Sequence, residues 1–277
     1  MLPNEVGRSF VEADAQSVSY EGGAAEERTR SVAVEVPVNI VYGPTPFAVM
    51  MATPENLEDF AVGFSLTEGI IESANDIRSI EFETVALGLR LVVTLSAQRM
   101  QQHLARSRNM AGRTGCGLCG IDDLSALPVA RTIASAEVAI AAAAIERALA
   151  MIEERQPLNE ATRAVHAAAW CGCDGAVELV REDVGRHNAL DKLIGALVRS
   201  GRDGSNGFLL ITSRCSFEMI EKAAVMRARI VVAMSAPTSL AIERAKLHDM
   251  TLVAIARRDG ATIFTGGHRI RRAGESA

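Results

Sequence analysis

The chain has no apolar run long enough to cross a bilayer. Its most apolar helical stretch, Ala136 to Ile152, is interrupted by Glu137, Glu146 and Arg147. The apolar core of a secretory signal is missing too: residues 1–30 are polar, hold acidic side chains such as Glu26 and Glu27, and read as a flexible leader. These absences predict a cytoplasmic protein with no membrane partner. Positive charge is in short supply, with 29 Lys and Arg against 34 Asp and Glu and a formal net charge of −5. That balance argues against bulk nucleic-acid binding and leaves room only for a local basic pocket. There is no Gly-x-x-x-x-Gly-Lys-Ser/Thr and no Gly-x-Gly-x-x-Gly, so the ATP-loop and dinucleotide-fold readings lose most of their weight. No internal repeat is apparent. Cysteine is scarce at five residues, Cys116, Cys119, Cys171, Cys173 and Cys215. In a reducing compartment these are expected as thiols, in catalytic or metal roles rather than structural disulfides.

What is present is a soluble globular composition, 48% hydrophobic and 23% charged over 277 residues, enough for one large domain or two ordinary ones. Val32 to Val41 is strand-like, and Pro44-Thr45-Pro46 marks a turn before the apolar Phe47 to Met51. Thr53-Pro54 reads as an N-cap and first helical residue, opening a helix with Leu57, Phe60, Ala61 and Phe64 on one face and ending at Gly69. Strands over 77–85 and 89–95 and a helix over 98–106 follow. Ser135 is a candidate cap for an alanine-rich helix running to Arg155, stopped by Gln156-Pro157.

The pattern then changes. Phe208–Ile211, Ile230–Met234 and Leu252–Ala256 are apolar without alternation, separated by helical stretches at Ser216–Ala228 and Thr238–Leu247. Unbroken apolar strands alternating with helices indicate a largely parallel sheet covered on both faces. The fold class is therefore α/β with a smaller, less regular α+β N-terminal part. The division expected is a leader over 1–30, an N-terminal subdomain over 31–130 and an α/β domain over 131–277.

In open parallel sheets ligands collect at the carboxyl ends of the strands. Those ends here are Thr212-Ser213-Arg214-Cys215-Ser216, Ser235-Ala236-Pro237-Thr238-Ser239 and Arg257-Arg258-Asp259-Gly260. Each supplies hydroxyls, cations or both, and the first two open helices whose free N–H groups favour an anion. Arg214, Ser216, Ser235 and Thr238 thus become candidate ligands for a phosphorylated molecule, although Ser and Thr are also ordinary caps. The densest polar cluster, Arg181 to Lys192, places Arg186 and His187 at the start of another helix, with Asp183 or Asn188 as its candidate cap.

The two thiols of Gly112-Arg113-Thr114-Gly115-Cys116-Gly117-Leu118-Cys119-Gly120 stand in a segment too glycine-rich for helix or strand, with Arg113 nearby to favour thiolate. Three chemistries fit two thiols at this spacing. A structural zinc site would need Cys171 and Cys173, which lie far along the chain in a Cys-Gly-Cys tighter than the usual knuckle. Disulfide exchange of the thioredoxin kind expects a helix start and usually a proline between the cysteines. The third is a persulfide carrier: a thiolate takes sulfur from a donor and releases it to an acceptor, with the neighbouring thiol assisting. Cys171, Cys173 and Cys215 are expected to be packed residues.

Four segments, Arg113–Gly120, Glu182–Gly195, Ser216–Ala223 and Ser235–Glu243, occur in an order and form that together resemble the FdhD family of formate dehydrogenase accessory sulfurtransferases. The resemblance runs from about residue 30 to 272. It implies a cytidine-deaminase-like sheet between helices and a homodimer. It also implies transfer of sulfur from a cysteine desulfurase to bis-molybdopterin guanine dinucleotide, for the benefit of formate dehydrogenase. By resemblance Cys116 bears the persulfide, Cys119 is its partner, and Ile255, Ala256, Arg257, Arg258, Asp259 and Gly260 lie where the family contacts the cofactor. The implied cofactor is an acceptor, and no tightly bound metal is expected. His166, in a His-Ala-Ala shared with the family, has no role assigned. Where relatives often have Ser-Gly-Arg, this chain has Thr212-Ser213-Arg214. A zinc deaminase would need His/Cys-x-Glu and Pro-Cys-x-x-Cys; His166-Ala167-Ala168 lacks the glutamate and no proline precedes Cys116, so deamination is set aside. The competing function is a non-catalytic chaperone that delivers the molybdenum cofactor to formate dehydrogenase.

Overall fold

The computed structural model describes residues 7–22, 24–107, 130 and 137–272. Cys116, Cys119 and Ser135, with the division placed at residue 130, fall on or border chain outside these residues.

The expected leader carries a β-hairpin. β1 (Phe10–Ser17) pairs antiparallel with β2 (Glu26–Ala33), Phe10 opposite Ala33 and Ser17 opposite Glu26. The hairpin has no apolar run to announce it, because both strands are mostly exposed and interleave apolar with polar residues, and it is held in part by side-chain pairs such as Ser31 Oγ donating to Glu12 Oε1 at 2.6 Å. The single strand expected over 32–41 is split, since β2 ends at Ala33 and β3 begins at Val36.

β3 (Val36–Tyr42), β4 (Thr45–Ala52), β5 (Ile77–Val85) and β6 (Gly88–Leu95) form a sheet in the order β4-β3-β6-β5, with β3 and β6 parallel. Val36, Val38, Ile40 and Tyr42, two residues apart, turn one face of β3 into the core. There they meet Phe60, Ala61 and Phe64 of α1 (Leu57–Thr67), the helix face read from the sequence. Gly69 just beyond it takes the left-handed conformation, φ 66°, which closes helices at glycine. The start of α1 is a correction. Its N-cap is Asn56, left-handed at φ 54°, and not Thr53, which is bound elsewhere. α2 (Ala97–Ser107) follows β6.

After β7 (Ile140–Ala141) comes α3 (Ala142–Ile152), which starts well past Ser135 with Ala141 at its cap, so the serine is not its N-cap. Pro157 does not merely stop this helix; it is the first residue of α4 (Pro157–Thr162). β8 (His166–Cys171) and β9 (Val177–Asp183) lead to α5 (Arg186–Arg199), β10 (Phe208–Ile211), α6 (Phe217–Val225), β11 (Ile230–Ala233), α7 (Ser239–Leu247), β12 (Thr251–Arg257) and β13 (Gly260–Thr265). β14 (Ile270–Arg271) pairs with β7.

The six strands run in the order β13-β12-β11-β10-β8-β9. β10, β11 and β12 are parallel, and β8, β9 and β13 are antiparallel additions at the flanks. Leu209, Ile211, Val231, Ala233, Leu252 and Ala254 face α5, α6 and α7, while Phe208, Leu210, Ile230, Val232 and Val253 face α3. Helices on both sides explain the unbroken apolar runs. The result is a mixed α/β fold, as the sequence indicates.

Candidate functional site

The carboxyl ends of β10 and β11 are tied to each other before their helices begin. Cys215 N–H donates to Ala236 O at 3.2 Å and Thr238 N–H to Cys215 O at 3.0 Å, forming a bridge between Cys215 and Pro237. Cys215 is fully buried here, and burial pushes its thiol up to about 12, so it is a packed residue and not a nucleophile. Cys171 is also buried and its thiol is likewise raised, by burial and then by Glu178 and Asp174. Cys173 is half-buried, with its Sγ 3.4 Å from Asn206 Oδ1 and its thiol raised by the same effects.

The two helix starts differ. Thr238 accepts the N–H of Ala241 at 3.2 Å, an ordinary cap. Ser216 occupies the cap position of α6 but turns its hydroxyl to Glu218 Oε2 at 3.1 Å. Ser235 accepts the N–H of Ile255 at 3.1 Å, which draws the third segment alongside the other two. Ile255 is 41% exposed and sits at φ 53°, a conformation rare for a β-branched side chain, beside a register shift between Ala254 and Arg257. Beyond it Arg257 pairs with Gly260 to close a hairpin; Arg257, Arg258, Asp259 and Gly260 are exposed, and Arg258 pairs with Glu153 at the end of α3. Ala256 turns its side chain into the core against α3 and offers a ligand only backbone.

The start of α5 supplies a cationic wall. Its cap is Gly185 with no side-chain hydrogen bond, so neither Asp183 nor Asn188 caps the helix. Arg186 is partly buried, and its Nε is shielded from solvent with no hydrogen-bond partner among the described residues. His187 Nε2 lies 3.1 Å from Glu218 Oε2. Glu218 stays below the usual glutamate range: burial would raise it, but His187, Ser216 and Arg186 outweigh burial. His166 opens β8, which runs antiparallel to β10 and so delivers its first residue to the carboxyl end of that strand. Half-buried, His166 is held below its ordinary value first by desolvation and then by Arg186 and Arg214, with Asp183 opposing. His166 thus feels Arg186, Arg214 and His187 together, in a cluster whose opposing carboxylates are Asp183 and Glu218.

Behind the wall lies a network that the sequence reading missed. Asp183 and Lys192 are both fully buried, with Lys192 Nζ 2.6 Å from Asp183 Oδ2. Lys192 also donates to Thr53 O at 2.9 Å; Thr53 N–H donates to Asp183 Oδ2 at 3.0 Å, and Gly185 N–H to Asp183 Oδ1 at 2.7 Å. Asn188 Nδ2 donates to Met51 O at 2.8 Å and to Asp183 Oδ1 at 3.1 Å. The available signal was Lys192 close to Leu190 and Leu193 in the core-facing stretch of the helix, where a buried lysine calls for a carboxylate partner. The network fixes the turn before α5 to the loop after β4.

Among the described residues no group of three or more His, Cys, Asp or Glu side chains is placed to hold a metal ion. Among them, too, no helix is long and apolar enough to cross a membrane.

A mixed α/β protein with basic strand ends defines a class but not a task. A model of the FdhD/NarQ family matches residues 33–271, and the chain belongs to that family. It is 46% identical over 251 residues to the sulfur carrier protein FdhD of Xanthomonas euvesicatoria pv. vesicatoria, covering 91% of this chain and 89% of that one. With the sulfur carrier protein FdhD of Cupriavidus necator it shares 44% over 240 residues, 87% of this chain and 83% of the other. Among solved structures, a candidate formate dehydrogenase accessory protein from Desulfotalea psychrophila superposes with a TM-score of 0.71 at 26% identity, covering 95% of this chain and 99% of that chain.

Proposed function

We propose that the protein is a sulfurtransferase that carries sulfur as a persulfide from a cysteine desulfurase to bis-molybdopterin guanine dinucleotide, and so makes formate dehydrogenase active. It works in the cytoplasm as a homodimer. The observation that supports this reading most directly is the convergence of Arg186, His187, Arg214 and His166 at the strand ends. The cofactor is a substrate here, and its guanine dinucleotide end carries a pyrophosphate. The shielded Nε of Arg186, without a partner among the described residues, and the N-terminus of α5, without a side-chain cap among them, fit that charge. Ser235, Thr238 and the segment from Ile255 to Gly260 flank it on the neighbouring strands.

The thiols belong to Cys116 and Cys119. The Cys116 thiolate attacks the outer sulfur of the donor's persulfide; a new S–S bond forms on Cys116, the donor's S–S bond breaks, and its cysteine leaves as thiolate. An electron pair of the acceptor then forms the bond to the outer sulfur as the S–S bond on Cys116 breaks, and the pair of that broken bond returns to Cys116 as thiolate. Cys119 assists release.

Intact mass after incubation with a cysteine desulfurase and L-cysteine tests the reading. The wild type should gain about one sulfur atom, reversibly by reductant, and Cys116→Ala should gain none. A wild type that gains nothing beside a competent desulfurase leaves the alternative, a chaperone that binds and delivers the cofactor without transferring sulfur. Retained formate dehydrogenase activation by Cys116→Ala would decide for that alternative.

A further inference from the structure

Two carboxylates oppose the cations at the start of α5, and they are occupied differently. Asp183 is fully buried with both oxygens engaged inside the fold, Oδ2 by Lys192 and Thr53, Oδ1 by Gly185 and Asn188. Glu218, in the first turn of α6, has only one oxygen engaged. Its Oε2 accepts the Ser216 hydroxyl at 3.1 Å and lies 3.1 Å from His187 Nε2, while Oε1 has no hydrogen-bond partner among the described residues. The side chain is 16% exposed, so it is held in place and still reachable from solvent.

An acid in the first turn of a helix is ordinarily a favourable end charge with no further duty. Here two neighbours are set to hold it. Ser216 stands at the cap position of α6 but gives its hydroxyl to Glu218, forgoing the usual benefit of a capping serine. His187 comes from α5, so the carboxylate is fixed from two elements at once. Burial would raise its value, but His187, Ser216 and Arg186 lower it, so near neutral pH the group is ionised and only accepts hydrogen bonds. A carboxylate beside Arg186 and His187 also repels a phosphate bound there. That repulsion is offset if the same ligand brings N–H donors to the free oxygen, which has two lone-pair sites to offer them. Guanine carries such donors: its N1–H and 2-amino group stand side by side on one edge, where adenine presents a bare N1.

We propose that Glu218 is the specificity-determining residue for the nucleotide, accepting the N1–H and 2-amino donors of guanine at Oε1 and so selecting guanine over adenine at this end of the cofactor. The proposal rests on the guanine-dinucleotide acceptor reading given above.

The test titrates the full chain, as wild type and as the near-isosteric Glu218→Gln, with GDP, IDP, XDP and ADP by calorimetry. IDP lacks the 2-amino group, XDP has a carbonyl in its place, and ADP lacks both donors at these positions. The wild type should bind GDP about tenfold more tightly than IDP and about a hundredfold more tightly than XDP or ADP. In Glu218→Gln the amide can donate to the xanthine carbonyl, so affinity for GDP should fall about tenfold while that for XDP rises. A wild type that binds the four nucleotides alike overturns the proposal and leaves the acceptor reading standing, and this comparison needs no variant to fold. A Glu218→Gln protein with the wild-type ratio of GDP to XDP affinity also overturns it, since the carboxylate would then only support the pocket. A wild type that binds none of the four overturns the proposal together with the acceptor reading.

Discussion

Gly63 on α1 and Gly195 on α5 lie at the crossing of the two helices, where each backbone presses on the other. A Cβ on Gly63 would fall 1.8 Å from Asp191 O, and one on Gly195 would fall 1.8 Å from Asp59 O. The helix that covers the N-terminal sheet thus meets the helix that carries Arg186 and His187 with no side chain between them. Arg181 and Arg199 reinforce the crossing through Asp59, at 2.7 and 2.5 Å.

Gly195→Ala therefore has to push the helices apart. We expect a loss of about 3 kcal/mol, the upper part of the range for overpacking, because the clash is with backbone and cannot be relieved by a rotamer change. Urea unfolding followed by far-UV circular dichroism checks this; a midpoint within error of wild type would refute the close crossing. Gly63→Ala should behave alike, and the double variant should cost less than the sum, since one separation relieves both clashes.

Lys192→Met should be among the most damaging single changes away from the cysteines. It leaves Asp183 buried without its counter-charge, a loss of about 3–5 kcal/mol. Asp183 would still accept the N–H groups of Thr53 and Gly185, so the turn before α5 should persist while becoming less stable. Chemical denaturation gives the magnitude, and a cost below about 1 kcal/mol would mean that Lys192 is not charged in the fold.

The contrast between Thr53 and Phe208 shows what was readable. The strand Phe208–Ile211 was legible because its signal is local: four apolar residues without alternation, bounded by glycine and a polar turn, admit few structures. The same holds for Phe60 and Phe64 on α1. Thr53-Pro54 has an equally good local signal for a helix start, yet its hydroxyl accepts the N–H of Val184, 131 residues away, and the helix waits until Leu57. Asp183 misled for the same reason, its carboxylate being drawn inward by Lys192. At the site, hydroxyls and cations at strand ends could be placed from topology alone. His166 could not, because its position depends on β8 running antiparallel to β10. Resemblance to the family places Ala256 in the contact segment, and strand alternation turns its side chain into the core.

His166 should report on acid sensitivity. Its folded value lies below its ordinary value of 6.5, so below that pH the unfolded chain binds more protons than the native one. Stability from this group is complete above about 6.5 and is lost as pH falls toward the folded value. His166→Asn should flatten the fall in unfolding free energy on going from pH 7 to pH 5. An anion bound between Arg186 and Arg214 would remove part of the repulsion that depresses the histidine, so nucleotide binding should take up protons. Calorimetry in buffers of different ionisation enthalpy measures that uptake, and no uptake near pH 6 would separate His166 from the anion site.

Arg186→Ala and Arg214→Ala should weaken binding of GDP, the simplest probe of the guanine dinucleotide end, by about tenfold or more each, the scale of one charge-assisted hydrogen bond. Arg186 should matter more. It is partly buried, with a shielded Nε that has no partner among the described residues, whereas Arg214 is exposed and its attraction is screened by salt. Raising ionic strength should therefore shrink the effect of Arg214→Ala while leaving most of that of Arg186→Ala. Arg258→Ala should weaken binding less than either, since its guanidinium is exposed and engaged with Glu153. Titration of the four proteins at two salt concentrations gives the answer. A loss in Arg258→Ala as large as that in Arg186→Ala would move the phosphate site from the start of α5 to the hairpin beyond β12.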